Sequence, residues 1–317
     1  MDNNTIWLIT ITQALLFVIS APLLSGIVRW VKCQLQNRTS PSVWQPYLNL
    51  NKLFRKETLI STTTSSLFRF IPFVIFSITI IISAAVPLFV VNTASNTIAD
   101  IIVIIGLFAL IRFLLALAGM DTGTAFGGMG SSREMLISSI AEPAIMMVFF
   151  AIAMTATSTN LSNIIEHLTS CNLYLSPSLI LAAFGFVLVA LAETGRIPID
   201  NPSTHLELTM IHEAMVLEYS GKYLALLEWS SQIKLLLYAT LFINIFFPWG
   251  IANHLVWNDI GWSIFMFICK ITVLTVVLGF TEISLAKLRL FRAPYLLNLA
   301  FIFGLLAVLI NIIMPVS

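Results

Sequence analysis

The sequence predicts an all-α integral membrane protein with about eight transmembrane helices, both termini periplasmic, and amphipathic helices in its cytoplasmic loops. Three observations predict it. Hydrophobic residues make up 58% of the 317 and charged residues only 10%, far from the mixture of a soluble domain, so the bilayer is the main solvent. Apolar runs long enough to cross about 30 Å of hydrocarbon recur along the chain. Connections rich in Lys and Arg alternate along the chain with connections that hold none.

The first run, 6–29, follows Met1-Asp2-Asn3-Asn4, which holds no basic residue, and is too long for a signal-peptide core, so it is expected to remain as a membrane helix. The connection after it carries Arg29, Lys32, Arg38, Lys52, Arg55 and Lys56. Within it, Trp44 to Phe54 mixes Trp44, Tyr47, Leu48, Leu53 and Phe54 with Lys52 and Arg55, the pattern of an interfacial amphipathic helix. Runs 67–91 and 98–119 follow, joined by a connection without Lys or Arg. The stretch Gly123-Thr124-Ala125-Phe126-Gly127-Gly128-Met129-Gly130 lacks the G-x-x-x-x-G-K-S/T order and follows a membrane helix rather than a strand. It therefore reads as a tight cytoplasmic turn and not a phosphate loop. The fourth run, 134–157, is interrupted by Glu142-Pro143, and the fifth, 177–195, is short.

The loop from Arg196 to Glu228 opens with Asp200-Asn201-Pro202, a cap with proline in the first turn. A helix continuing from there puts Glu207 and Glu218, eleven residues apart, on nearly one face. Runs 231–251, 262–281 and 295–315 complete the eight, with Lys287, Arg289 and Arg292 before the last. The connections 158–176 and 252–261 again hold no Lys or Arg. The positive-inside rule then places the basic connections in the cytoplasm. With no repeat or linker, residues 1–317 read as a single polytopic membrane domain.

Some function classes are disfavoured. Cys33, Cys171 and Cys269 stand singly, so no iron–sulfur or zinc site is expected in this chain. His205 and His212 are seven apart, and His212-Glu213 has no second histidine four residues on, so no metal-binding or catalytic set is expected. No nucleophile elbow is present, and no nucleic-acid partner is expected.

What does call for a reason is charge inside the membrane. Arg112 lies about seven residues, roughly 10 Å, inside the third run, and Lys270 near the middle of the seventh. Each costs about 2.5–3.5 kcal/mol even on a lenient insertion scale and should find an acidic partner, in a functional site or in a helix-packing ion pair. Asp121, Glu134, Glu142, Glu193, Glu207, Glu213, Glu218, Glu228 and Glu282 all fall in the cytoplasmic half or its loops. With Arg112, Arg133, Lys234 and Lys270 they read as a polar chain at the mouth of a proton path, although Asp121, Glu134, Glu193 and Glu282 taken singly also suit helix caps at the interface. Glu142 is the most telling, because Pro143 breaks the backbone ladder beside it.

Longer motifs carry a resemblance. Arg196-Ile-Pro198-Ile-Asp200, then Leu206-Glu207-Leu208 and Leu217-Glu218-Tyr219-Ser220-Gly221, resemble a loop found in one family of membrane proteins. That family unites the H-type membrane component of complex I, the proton-pumping NADH-quinone oxidoreductase, with the membrane subunits of group 4 hydrogenases, and the likeness is greatest to the hydrogenase-4 and formate hydrogenlyase branch. Ala118-Gly119-Met120-Asp121-Thr122-Gly123, Ser132-Arg133-Glu134 and Glu142-Pro143 are similar to the third-to-fourth helix connection of that family, and the stretches from Lys234 to Gly250 and from Lys270 to Arg289 to its sixth and seventh helices. The resemblance implies a non-catalytic subunit of an oxidoreductase complex in the bacterial cell inner membrane. It would anchor hydrogenase-like large and small subunits on the cytoplasmic face to antiporter-like membrane subunits, and link electron transport to proton or sodium movement. It implies Glu142, Glu193, Asp200, Glu207, Glu218 and Glu282 as the acidic path, and Arg112, Lys234 and Lys270 as cationic partners. No cofactor is implied in this chain. Iron–sulfur and nickel–iron centres would lie in partner subunits, with a quinone as a further ligand. The docking loops would be those of Arg38, Pro41, Gln45 and Tyr47 and of Tyr219 and Gly221. Here Arg38-Thr39-Ser40-Pro41 stands where the family carries R-R-x-G-P, and Ser203 and His205 stand where it carries carboxylates. A stand-alone secondary transporter and a quinone-reactive subunit are the alternatives. Two related halves, which a transporter fold commonly shows, are not visible between residues 1–160 and 161–317.

Overall fold

The computed structural model describes residues 3–61, 64–90, 99–171, 176–197, 200, 211–252, 257–285 and 292–314. Among them run eleven helices: α1 (Asn3–Leu35), α2 (Gln45–Arg55), α3 (Ser66–Ala85), α4 (Ile101–Asp121), α5 (Ala125–Ala156), α6 (Leu161–Cys171), α7 (Pro177–Glu193), α8 (His212–Val216), α9 (Gly221–Phe246), α10 (Trp257–Ser284) and α11 (Ala293–Ile313). Six of them, α1, α3, α4, α5, α10 and α11, are long and apolar enough to cross a membrane, so the chain is a multi-pass membrane protein. Helices also occupy the fifth and sixth predicted positions. There α7 is apolar but has 17 residues, and α9 carries Lys222, Glu228 and Lys234.

Polar residues set the helix starts. Ser65 accepts from the Leu67 N–H before α3, Asp100 from Ile102 before α4, Thr124 from Gly127 before α5 and Ser176 from Leu179 before α7. The Trp44–Phe54 segment is helical, as α2, and seats Pro46 and Leu50 inward while Trp44 and Leu48 stay exposed. Close approach of α2 to α1 depends on Gly26, where a Cβ would collide with the Val43 carbonyl.

Two expectations are corrected. The glycine-rich stretch is not a turn beyond Thr124: Ala125 to Gly130 form the first turns of α5, which then runs unbroken through Glu142 and Pro143. Glycine is needed there because a Cβ on Gly130 would stand 2.9 Å from the Ala214 Cβ, and one on Gly127 would strike the Gly119 carbonyl. In the long loop no continuous helix reaches Glu218, since α8 ends at Val216. Glu207 lies outside the described residues, so the shared face expected for it and Glu218 has no helical basis at the Glu218 end.

The bundle packs around α9, which is buried along most of its length against α1, α2, α3, α6, α7 and α10. On one flank α5, α7 and α11 cross closely at Gly185 and Gly304, where a Cβ would meet Val148 Cγ2 at 2.8 Å and Val148 N at 3.0 Å, the small-residue packing of membrane helices. Asn311 binds that crossing by donating to the Ala151 carbonyl at 2.8 Å. At 33 residues α1 is about 50 Å long, more than the roughly 30 Å of a hydrocarbon core, and its basic end lies beside α2.

Candidate functional site

Charges inside an apolar bundle must be paired or wet. Four helices contribute one each: Arg112 from α4, Glu142 from α5, Glu193 from the last turn of α7 and Lys234 from the middle of α9. They meet. Arg112 Nη2 lies 2.7 Å from Glu193 Oε1 and 3.5 Å from Glu142 Oε1, and Lys234 Nζ lies 3.1 Å from Glu193 Oε2. Ser138, one turn before Glu142, donates to Glu142 Oε1 at 2.9 Å. Tyr238, one turn beyond Lys234, is buried and turns its hydroxyl toward Glu193. The Glu193 side chain is 1% exposed, whereas Glu142 is 41% exposed at the surface of the bundle. The group therefore runs from a sealed carboxylate to one open at the side.

Toward the basic end of the bundle lies a cavity of about 690 Å³ that has Arg112, Glu193 and Lys234 in its wall. Six basic and six acidic side chains line it, out of the 16 and 15 in the whole chain. Such concentration in a protein that is 10% charged is the main electrostatic feature of the molecule. Glu134 of α5 and Asp200 also line it. Glu282, at the end of α10, is ion-paired with Lys32 of α1 at 3.1 Å and with Arg196. Arg196 reaches that place because α7 stops at Glu193 and Gly195, at φ +59°, reverses the chain.

Asp200 is buried and closes the loop beyond Arg196. Its Oδ2 accepts from the Ile211 and His212 N–H groups at 3.3 and 3.2 Å. Asp200 thus binds the backbone at the start of α8, twelve residues further on; the helix start expected directly after it lies outside the described residues. Burial holds the His212 ring below the ordinary histidine value, and Lys234 pushes the same way against Glu213 and Asp200. Burial raises the Tyr219 hydroxyl, with the Asp121 carboxylate acting in the same direction.

The other expected site residues are spread out. Asp121 ties the ends of two helices by accepting from the Ser65 N–H at 2.9 Å, and Arg133 stands one residue before Glu134 but outside the cavity wall. Glu218 is exposed and outside it too. Lys270 meets no carboxylate among the described residues; its ammonium donates to the Phe247 carbonyl at 2.7 Å and to that of Trp249, satisfying carbonyls at the end of α9. It lies about 20 Å along α9 from Lys234. Of the docking residues, Arg38 is exposed at the cavity, Pro41 is half-buried, Gln45 donates to Asn49 at 3.1 Å and Tyr47 reaches the Ile19 carbonyl. Tyr219 and Gly221 face inward: Tyr219 stacks on Phe68 at 3.8 Å and donates to its carbonyl, and Ser220 between them exchanges two hydrogen bonds with Leu59.

Sequence reasoning did not single out Ser138, Tyr238, Lys32 or Arg196 as members of the site. For the first two a signal exists, since each lies four residues from a charge inside an apolar run, on the same helix face.

A family model described as NADH dehydrogenase matches residues 7–315. Hydrogenase-4 component C of Escherichia coli strain K12 is 32% identical over 298 residues, which cover 94% of this chain and 93% of that protein. Formate hydrogenlyase subunit 4 of the same organism is 32% identical over 295 residues, 93% of this chain and 95% of that one. Among solved structures, a chain of the membrane-bound sulfane sulfur reductase, an archaeal respiratory membrane complex, superposes with a TM-score of 0.81 at 18% identity, over 95% of this chain and 99% of its own. That likeness is one of fold.

Proposed function

Because the chain belongs to the NADH dehydrogenase family, we propose that it is the membrane-anchoring, ion-path subunit of a hydrogenase-4-like or complex-I-like assembly in a bacterial inner membrane. In that role it couples electron transfer in a docked peripheral arm to movement of protons or sodium ions. One observation carries the reading: a cavity with six charges of each sign, ending on a buried cluster that leads to the half-exposed Glu142. Such a wall suits water and ions.

The basic end faces the cytoplasm in this reading, α7 and α9 also cross the bilayer to make eight spans, and both termini are periplasmic. Hydrogenase-like large and small subunits dock at the basic end and carry the iron–sulfur and nickel–iron centres. Antiporter-like subunits lie alongside in the membrane, where a polar neighbour covers the exposed Glu142 carboxylate. A quinone is a further ligand of the assembly in this reading, and no step is assigned to it.

The mechanism follows from the charge balance. Two cations hold Glu193, and Arg112 is shared with Glu142, so a proton arriving at Glu193 releases Arg112 toward Glu142 and favours proton loss there. At the cytoplasmic face, Arg196 and Asp200 tie the loop expected to touch the arm to α1, α8 and α10. A redox-driven shift of that loop thereby reaches the cavity.

Affinity purification of the tagged chain from membranes tests this. Hydrogenase-like and antiporter-like proteins are expected to copurify in fixed stoichiometry. A chain that purifies alone and moves ions alone when reconstituted would make it a secondary transporter instead.

A further inference from the structure

His212, the first residue of α8, has no part in the path just described. Its backbone N–H donates to Asp200, a bond that any residue but proline can make. Among the described residues its ring makes no hydrogen bond, and it lines the charged cavity half-buried. Its position is rigidly set. A Cβ on Gly130 of α5 would meet Ala214 Cβ at 2.9 Å and Met215 Cγ at 3.2 Å, and one on Gly119 of α4 would meet Met215 Cγ at 3.1 Å, so α8 sits directly on both helices.

We propose that His212 is a proton-transfer residue of the ion path, taking a proton from cavity water on one ring nitrogen and releasing one from the other toward Asp200 and Glu134. Among the described residues the fold uses the backbone of this residue and not its imidazole, which stands in the cavity wall. Glu213 on α8 itself, Lys234 on α9 and Asp200 act on the ring, and Glu228 on α9, Glu134 on α5 and Arg112 on α4 line the same cavity. Cation and carboxylate thus flank the ring, so it can accept and pass on a proton without a lasting change of charge. Its lowered proton affinity keeps it neutral at cytoplasmic pH and ready to accept. Glu134 lines the same cavity as the ring and as Arg112, Glu193 and Lys234 of the buried cluster.

The inference rests on the ion-path reading, and the test separates the two. The whole assembly is reconstituted in proteoliposomes and reduced with dithionite from pH 5.5 to 8.5, with ion uptake followed by entrapped pH-sensitive and sodium-sensitive dyes and subunit content by gel filtration. The wild type should show uptake with an inflection below pH 6.5, the ordinary histidine value. His212→Gln and His212→Asn should stay assembled, lose the inflection and slow uptake by about tenfold or more, the low side of the usual contribution of a positioned proton-transfer group. Glu193→Gln should abolish uptake at every pH. If the His212 variants keep rate and inflection, slow equally at all pH values, or fail to assemble, His212 is not a proton carrier. No uptake in the wild type, or full uptake in Glu193→Gln, overturns the ion-path reading itself.

Discussion

Replacing Glu193 by leucine removes the carboxylate that two cations share. At separations of 2.7 and 3.1 Å and an effective dielectric constant of about 20, the attractions to Arg112 and Lys234 are about 6 and about 5 kcal/mol. Desolvation of three nearly enclosed ions, at several kcal/mol each, offsets most of this. The cost of the substitution is therefore set by the cations left behind, and for broken buried pairs it is about 3–5 kcal/mol. Adding Lys234→Met removes one stranded cation and should recover about 1–3 kcal/mol, while Arg112 keeps Glu142 at 3.5 Å. The assay is unfolding of the purified chain in mixed micelles titrated with dodecyl sulfate, followed by tryptophan fluorescence and circular dichroism. A Glu193→Leu chain within about 0.5 kcal/mol of the wild type, or strictly additive effects in the double variant, would refute the pairing as drawn.

Gly221→Ala should cost about 1–3 kcal/mol in the same titration, because its φ is +55° and a Cβ would stand 2.6 Å from Thr58 Cγ2 and 2.9 Å from two carbonyls. Proteolysis between Glu57 and Ser61 should quicken with it. Asp200→Ala should leave two buried N–H groups without their acceptor, at about 1–3 kcal/mol, and speed hydrogen exchange at Ile211 and His212 by at least about tenfold. For pH the sign follows from His212, whose folded-state affinity for protons is lowered. Below about pH 6.5 the unfolded chain binds a proton that the folded chain resists, so stability should fall as pH drops from there to the folded-state value, then level off. His212→Gln should remove that component, and an unchanged slope would contradict it.

The helices were legible because a membrane span must be apolar over a fixed length, and Lys and Arg mark its ends. Even the charged α9 could be read, since apolar residues surround Lys234. The pairing of Arg112 with acidic groups was also predictable, as a charge that deep has few alternatives. Lys270 shows the limit: backbone carbonyls at the end of α9 satisfy it, and no side-chain pattern announces a carbonyl partner. The same holds for Asp200, whose cap target is set by how the chain returns at Ile211. Glycines 127 and 130 read as a turn because their cause, the approach of α4 and α8, lies in the tertiary structure. His212 was considered only as a metal ligand, since its neighbours in space come from four separate segments.

Whether the buried charges couple electron transfer to ion movement is decided by one experiment on the intact assembly. Ions moved per electron are measured in proteoliposomes for the wild type and for Glu142→Gln, with electron transfer and subunit content recorded in parallel. Glu142→Gln should keep assembly and electron transfer and lose coupled ion movement. Undiminished ion movement in that variant would leave Glu142 a packing partner of Arg112 and Ser138 and contradict the proposed path.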